Sequence, residues 1–349
     1  MKRALIVKMS SMGDVIHTLP ALTDAHKVHP EIEFDWVVEP GFAEIPRWHK
    51  AVRRVISAPL RRFRKMPWQT FAANEWHQLL KQLRYTDYDV VIDAQGLVKS
   101  AVLTHFTKGK RFGLNWKSAK EPVASLLYHQ KIGVPKNQHA VQRVRQLFAD
   151  AFNYTMPSSA PDYGIDKTKL TDISYGDNTV IFLHGTTWST KHWPQKYWYQ
   201  LAKLAQEKGY QVLLPWGNEA EHQRALEIKN FCDAHLAPIV LPKLTLGEIT
   251  TLIAKACGIV AVDTGLGHVA AAMATPTVSL YGPTSPDLTG AYGPKQTHLK
   301  VDAPCSPCFA KECKRGQHFE TMPPCFESLP PQKVWQALEQ TMAQAKESV

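Results

Sequence analysis

Aspartates, lysines and glycines set in short polar turns directly after apolar runs carry most of the potential chemistry in this sequence. Residues 258–284 hold the densest case. Gly258–Val262 is an apolar run of strand type, and Asp263-Thr264-Gly265-Leu266-Gly267-His268 is a polar turn with two glycines. His268–Met273 is Ala-rich and helix-favouring, and Thr277–Tyr281 is a second β-branched run ahead of Gly282-Pro283-Thr284. Strand, glycine turn, helix, strand is a βαβ unit and requires a parallel sheet. Asp263 or Thr264 can cap the helix. Gly265 and Gly267 let a ligand approach the backbone, and the N–H groups and positive dipole end of the helix suit an anion such as a diphosphate. Gly265–Ala270 also fits the G-x-G-x-x-[GA] pattern of dinucleotide sites. A tight βα turn with a capping aspartate is the purely structural alternative.

Further candidates lie in comparable turns. Asp14 follows Ser10-Ser11-Met12-Gly13 at the start of the first helix, where it is either a helix cap or a general base. Lys191 lies close in sequence to Thr186 and Thr187; a point charge with two hydroxyls can clamp a diphosphate, although a solvated lysine is the commoner case. Arg61, Arg62, Arg64 and Lys65 crowd around Phe63 with no compensating acid in the segment, which reads as an anion-binding face or as a solvated basic surface. His184, His192 and His268 fit hydrogen-bonded structural histidines better than catalysts. Cys305, Cys308, Cys313 and Cys325 follow C-x2-C-x4-C-x11-C in a proline-rich stretch. That spacing allows a metal, disulfides or a plain surface loop. The motifs G-x-S-x-G, H-E-x-x-H and G-x4-G-K-[ST] do not occur.

The elements that must place these groups alternate regularly. Strands are expected at Ala4–Val7, Phe34–Val38, Val52–Ile56, Tyr88–Ile92 and Arg111–Leu114, with helices at Val15–His26, Asn74–Arg84, Val98–Phe106, Glu121–Tyr128 and His139–Phe152. After a Pro/Gly/Ser-rich stretch the pattern resumes with strands at Thr179–Leu183, Tyr210–Pro215 and Ile239–Leu241 and helices at Gln195–Lys208, Glu219–Phe231 and Leu246–Cys257. The expected fold class is α/β, with two Rossmann-like, doubly wound domains facing across a cleft. The expected boundaries are residues 1–157 for the first domain, 158–178 for a linker, 179–330 for the second domain and 331–349 for a terminal helix. Ligands in such sheets sit at the carboxyl ends of strands, where every turn named above falls.

Composition narrows the partners. The chain has 349 residues, 44% of them hydrophobic, and a net charge of +10. Two cores can form, and the charge favours an acidic partner. No run approaches the ~20 apolar residues of a membrane span, and Lys8 interrupts an N-terminal apolar stretch too short for a signal peptide. A cytoplasmic protein without nucleic-acid signatures is expected.

At this point a family resemblance is visible. Lys8–Pro20 (KMSSMGDVIHTLP), Phe34–Glu39, Asp93–Ser100, Lys191-His192-Trp193-Pro194, Leu214-Pro215-Trp216-Gly217 and Val262–His268 are similar, in the same order, to the signatures of the lipopolysaccharide heptosyltransferases. The similarity is greatest to the members that add the first heptose of the inner core. The resemblance implies the GT-B architecture and inverting transfer of L-glycero-D-manno-heptose from ADP-heptose to a Kdo residue of Kdo2-lipid A. It implies Asp14 as the base, and Lys191 with Thr186 and Thr187 at the donor phosphates. It places Glu221 near the nucleoside ribose and Asp263, Thr264, Gly265 and His268 in the donor turn. Arg61, Arg62, Arg64, Lys65 and Lys120 would face the anionic acceptor. ADP-heptose is then a substrate rather than a cofactor, no divalent metal is required, and the protein works peripherally on the cytoplasmic face of the inner membrane. The cysteine cluster resembles a segment of other members of the family. Alternatives are a neighbouring heptosyltransferase acting on heptosyl-Kdo2-lipid A, an NAD-dependent oxidoreductase resting on Gly265–Ala270, and a non-catalytic nucleotide-sugar or lipid A binding protein.

Overall fold

A computed structural model describes residues 2–65, 74–315 and 323–347. The chain divides into two units, Met1–Lys169 and Leu170–Val349, and the division falls inside the Pro/Gly/Ser-rich stretch.

The first unit carries β1 (Arg3–Val7), β2 (Glu33–Val38), β3 (Val52–Ser57), β4 (Asp87–Asp93), β5 (Lys108–Leu114) and β6 (Gln130–Ile132). They pair, all in parallel, in the order β3-β2-β1-β4-β5-β6. The second unit repeats the plan with β7 (Thr179–Leu183), β8 (Gln211–Leu214), β9 (Ile239–Val240), β10 (Gly258–Val262), β11 (Thr277–Tyr281) and β12 (Gln296–Lys300), in the order β12-β11-β10-β7-β8-β9. A parallel neighbour requires a crossover, and the intervening helices provide it. The central strands are buried on both faces: every residue of β7, β10 and β11 is buried. That explains why they read as unbroken apolar runs.

Helix Ala140–Phe152 buries Val141, Val144, Leu147, Phe148 and Ala151, the spacing expected of an amphipathic helix. It also buries Arg145, whose Nε donates at 2.6 Å to Asp24 Oδ2 and whose other nitrogens reach the Pro157 and Ser159 carbonyls. A buried guanidinium needs this set of partners. In the second unit Phe182, Trp193, Trp198, Phe326 and Trp335 fill one core, and helix Pro331–Glu347 closes it with Val334, Leu338 and Met342.

Several expectations need correction. The helix expected over Val15–His26 is two helices, Met12–Ile16 and Leu19–Val28, because Pro20 cannot supply an interior N–H and stands instead at the start of the second. Leu60–Lys65, read only as a basic segment, is a helical turn. The stretch Glu121–Tyr128 forms a 3-10 helix over Pro122–Leu127. Strands β6 and β12 carry polar residues at sheet edges and lack an apolar run that would reveal them. Among the described residues no helix is long and apolar enough to cross a membrane.

Candidate active site

The groups expected on the donor side line up in strand order at the carboxyl ends of the second sheet. After β11, Thr284 Oγ1 donates at 2.6 Å to Asp263 Oδ2. After β10, the same oxygen of Asp263 accepts an ion pair from Lys191 Nζ at 2.7 Å, both side chains being largely buried. After β7, Thr186 Oγ1 donates to the Asp263 carbonyl at 3.0 Å. After β8, Gly217 N–H donates at 2.7 Å to Glu221 Oε2, and Asn218 caps Glu221 N. Gly185 has no room for a side chain: a Cβ there would stand 2.5 Å from Glu221 Cδ. Glu221 is thus pressed against the turn that carries Thr186. Thr187 is exposed, while Thr264 and Gly265 are half-buried.

The local sequence explains why Lys191 is held so well. Trp193, two residues on, is buried and donates through Nε1 to the Leu329 carbonyl at 3.0 Å. Pro194 then occupies the N-cap of helix Gln195–Glu207. Lys191 ends a 3-10 turn whose Ser189 and Thr190 hydroxyls donate to the Lys311 and Ala310 carbonyls at 2.7 and 2.6 Å. Its ammonium also lies 4.6 Å from the centre of the Trp188 ring. The cysteine-bearing loop is therefore a strut. It holds the Lys191 turn on one side and the Gly282-Pro283 turn on the other, through Ser306 Oγ and Phe309 N–H. Its four cysteines carry no disulfide, and among the described residues no group of three or more ligands is arranged for a metal. Burial, with Cys305, Cys313 and Cys308 close by, pushes the Cys325 thiol up to about 11.

The capping expectation for the glycine turn is half right. Thr264 occupies the N-cap of helix Gly265–Ala272, but no side-chain hydrogen bond closes that cap. Asp263 turns its carboxylate to Lys191 and Thr284 instead. His268 is buried in the first turns of this helix. His184 and His192 are held neutral at ordinary pH, at about 3 and about 4, first by burial and then by Arg224.

The first sheet has its own row. Asp14 sits in the first turn of helix Met12–Ile16. The backbone N–H and the hydroxyl of Ser11 both donate at 2.8 Å to Asp14 Oδ2. Its other oxygen, Oδ1, is 3.7 Å from Lys8 Nζ. Lys8 follows β1, is only 7% exposed and donates to the Ala94 carbonyl at 2.8 Å. Burial raises the Asp14 carboxyl, but Lys8, the two Ser11 hydrogen bonds and Lys120 together outweigh it, and the group is lowered below the usual carboxylate range. The turn after β4 supports this arrangement. Asp93, fully buried, accepts from Gln95 N, Gly96 N and the Tyr128 hydroxyl. Gln95 Oε1 in turn accepts from Met9 N and Ser10 N. Lys8, Gln95 and Thr284 were not singled out from sequence. A lysine directly after a fully buried strand run is the one signal that could have marked Lys8.

Arg61 and Arg62 line a cavity of about 750 Å³ with Glu39, Phe42, Phe63 and Glu75. The absence of a compensating acid does not hold in three dimensions. Arg62 forms an ion pair with Glu75, and Glu39 Oε1 accepts from Arg61 N. Lys65 is exposed, Lys120 is exposed beside the Gly96 turn, and the side chain of Arg64 lies outside the described residues.

Two doubly wound parallel sheets, each with a polar row along its carboxyl edge, are the architecture of the GT-B glycosyltransferases. The family model for glycosyltransferase family 9 (heptosyltransferase) matches residues 76–318, and the chain belongs to this family. It is 51% identical over 347 residues to lipopolysaccharide heptosyltransferase 1 of Pseudomonas aeruginosa, covering 97% of each chain. It is 46% identical over 296 residues to lipopolysaccharide heptosyltransferase 1 of Escherichia coli, covering 84% of this chain and 92% of that one. Among solved structures, E. coli heptosyltransferase WaaC with ADP matches with a TM-score of 0.85 at 41% identity, covering 97% of this chain and 99% of that one. The same enzyme with ADP-2-deoxy-2-fluoro heptose matches with a TM-score of 0.83, at the same identity and coverage. The protein is an enzyme, a glycosyltransferase of the heptosyltransferase family, and the oxidoreductase alternative falls away.

Proposed function

We propose that this enzyme transfers L-glycero-D-manno-heptose from ADP-heptose to a Kdo residue of Kdo2-lipid A with inversion at the anomeric carbon. The observation that carries the proposal is the Asp14 carboxylate: Ser11 fixes one oxygen, and the other lies toward the Lys8 ammonium. Asp14 takes the proton of the Kdo hydroxyl as that oxygen bonds to the anomeric carbon. The bond from that carbon to the diphosphate breaks, and its electron pair leaves on ADP. Lys191, Thr186, Thr187 and the helix start at Thr264-Gly265 offset the charge that develops there. Glu221 serves the ribose. Asp263 holds Lys191 in place, and His268 packs behind the turn. Arg61, Arg62, Arg64, Lys65 and Lys120 meet acceptor phosphates and carboxylates. ADP-heptose is a substrate, and inverting transfer with one base and a stabilised leaving group needs no divalent metal. The enzyme works at the cytoplasmic face of the inner membrane. The identity to lipopolysaccharide heptosyltransferase 1 of two organisms supports the acceptor reading.

The test follows ADP release and acceptor mass with ADP-heptose and Kdo2-lipid A. Wild type adds one heptose. Asp14→Ala loses about 10²–10⁴ in rate while retaining ADP affinity, and Lys191→Met weakens the donor. Transfer only to an acceptor already bearing heptose assigns the enzyme to the neighbouring step, and no transfer to either acceptor overturns the proposal.

A further inference from the structure

Among the described residues of the first unit, exposed large apolar side chains are few, and a set of them shares one region. Val98 and Val102 stand four apart on helix Val98–His105, so they lie on one face. Both are exposed, whereas Ala101 and Leu103 face inward. Val123 and Leu126, 53% and 64% exposed, stand three apart on the 3-10 helix Pro122–Leu127, where such a spacing brings side chains into line. The two helices pack together: Ala101, Ala124 and Tyr128 form one apolar cluster, and Glu121 Oε2 accepts from Val98 N at 2.7 Å. Trp116, 54% exposed, lies in the turn leading into the 3-10 helix.

Charge around this surface is one-sided. From Ala94 to Ala149 the sequence carries ten lysines and arginines and one acid, Glu121. One oxygen of that acid accepts from Val98 N. Lys99, Lys117 and Lys120 are exposed within or beside the two helices. Aliphatic and indole side chains framed by lysines, with Glu121 the one acid of this stretch, match the boundary layer of an anionic bilayer. The apolar groups enter the acyl edge and the ammonium groups stay at the level of the lipid phosphates. An acidic protein would satisfy the lysines but leave an exposed Leu, Trp and three Val without an equally general partner.

We propose that Val98, Val102, Trp116, Val123 and Leu126, with Lys99 and Lys117, form the surface by which the enzyme docks on a membrane leaflet bearing anionic lipid. The inference deepens the membrane-facing part of the proposed function and rests on it for its biological sense. Lys120, at the edge of this surface, also bears electrostatically on Asp14.

The test is flotation of the full chain with phosphatidylcholine vesicles, with and without about one-third phosphatidylglycerol. Wild type partitions onto the anionic vesicles, and partitioning weakens with salt. The pair Val123→Glu with Leu126→Glu, and separately Lys99→Glu with Lys117→Glu, lowers partitioning by about tenfold or more. Both pairs alter exposed side chains, so melting temperatures stay near wild type. Both retain wild-type ADP release with a water-soluble Kdo acceptor that lacks lipid A, and both lose transfer to Kdo2-lipid A in vesicles. Wild type that ignores anionic vesicles, or either pair floating like wild type, overturns the docking surface. Wild type that is inert toward the soluble Kdo acceptor as well overturns the proposed reaction, while the flotation result still judges the surface.

Discussion

Lys8 and Asp14 are joined across the first βα turn, Nζ to Oδ1 at 3.7 Å, with the lysine nearly buried and the carboxylate 44% exposed. The cation is fixed from behind by the Ala94 carbonyl. It therefore acts on Asp14 from the protein side and leaves the carboxylate partly exposed on the other. If Asp14 is the base, as proposed, Lys8 is a positioning residue that favours its ionised form. Lys8→Met removes a charge that lowers the Asp14 carboxyl. The acid limb of kcat/KM then moves to higher pH, and activity falls most at mildly acidic pH. Lys8→Arg keeps the charge and restores much of the profile. An acid limb that stays in place in the methionine variant contradicts this role, whatever happens to the rate.

Glu221 and Gly185 make a second testable pair. A methyl group at Gly185 would overlap the Glu221 carboxyl, at 2.5 Å from Cδ and 2.6 Å from Oε1. At Gly217 the nearest approach is a relaxed 3.4 Å to Oε2. Gly185→Ala is expected to displace Glu221 and weaken ADP binding by about tenfold, about 1.4 kcal/mol. Gly217→Ala stays within about twofold of wild type by the same van der Waals argument. Calorimetric titration with ADP on both variants checks this; equal affinities would show that Glu221 has no part in holding the nucleoside.

His49 links stability to pH. Its Nδ1 accepts from Ala51 N at 3.1 Å, and its Nε2 meets Thr23 Oγ1 at 2.9 Å. Thr23 already donates to the Leu19 carbonyl, so the ring is neutral with its hydrogen on Nε2. Burial first, then the neighbouring His26, Lys50 and Lys169, lowers the imidazole to about 4 against the opposing Asp162. The unfolded chain takes up this proton near pH 6.5 and the folded one only near 4, so the unfolded state binds more protons in between. Stability is fully present above pH 6.5 and is lost as pH falls toward 4, by on the order of 3 kcal/mol from this residue. Denaturant midpoints between pH 7.5 and 4.5 for wild type and His49→Gln read the slope; identical slopes would remove His49 as its source.

Much of the fold is legible because its signals are local. Buried strands in a parallel sheet read as apolar runs, and βα turns read as glycine and aspartate clusters, so the strands flanking Asp14 and Asp263 stand out. The break at Pro20 is local too, and a helix carried through it underrated the missing N–H. What the sequence hides depends on partners far along the chain. Glu75 neutralises Arg62 from another helix, Thr284 and Lys191 converge on Asp263 from different strands, and Lys8 is buried under a carbonyl 86 residues away. A lysine in a polar turn looks the same in sequence whether it is solvated or buried. The cysteine spacing allowed a metal, disulfides or a plain surface loop, and it could not show that the loop's backbone carbonyls tie down the Lys191 turn, because composition does not report carbonyls.

Both sheets place their earliest strand beside one that arrives much later, Ala4 opposite Val90 and Val180 opposite Gly258. Each unit must therefore close a long loop before its central ladder can form, and chains with such distant pairings fold slowly. The Gln95 bonds to Met9 and Ser10 exist only once that ladder has formed. The turn that carries Asp14 thus takes its final form only with a pairing that spans more than eighty residues of chain.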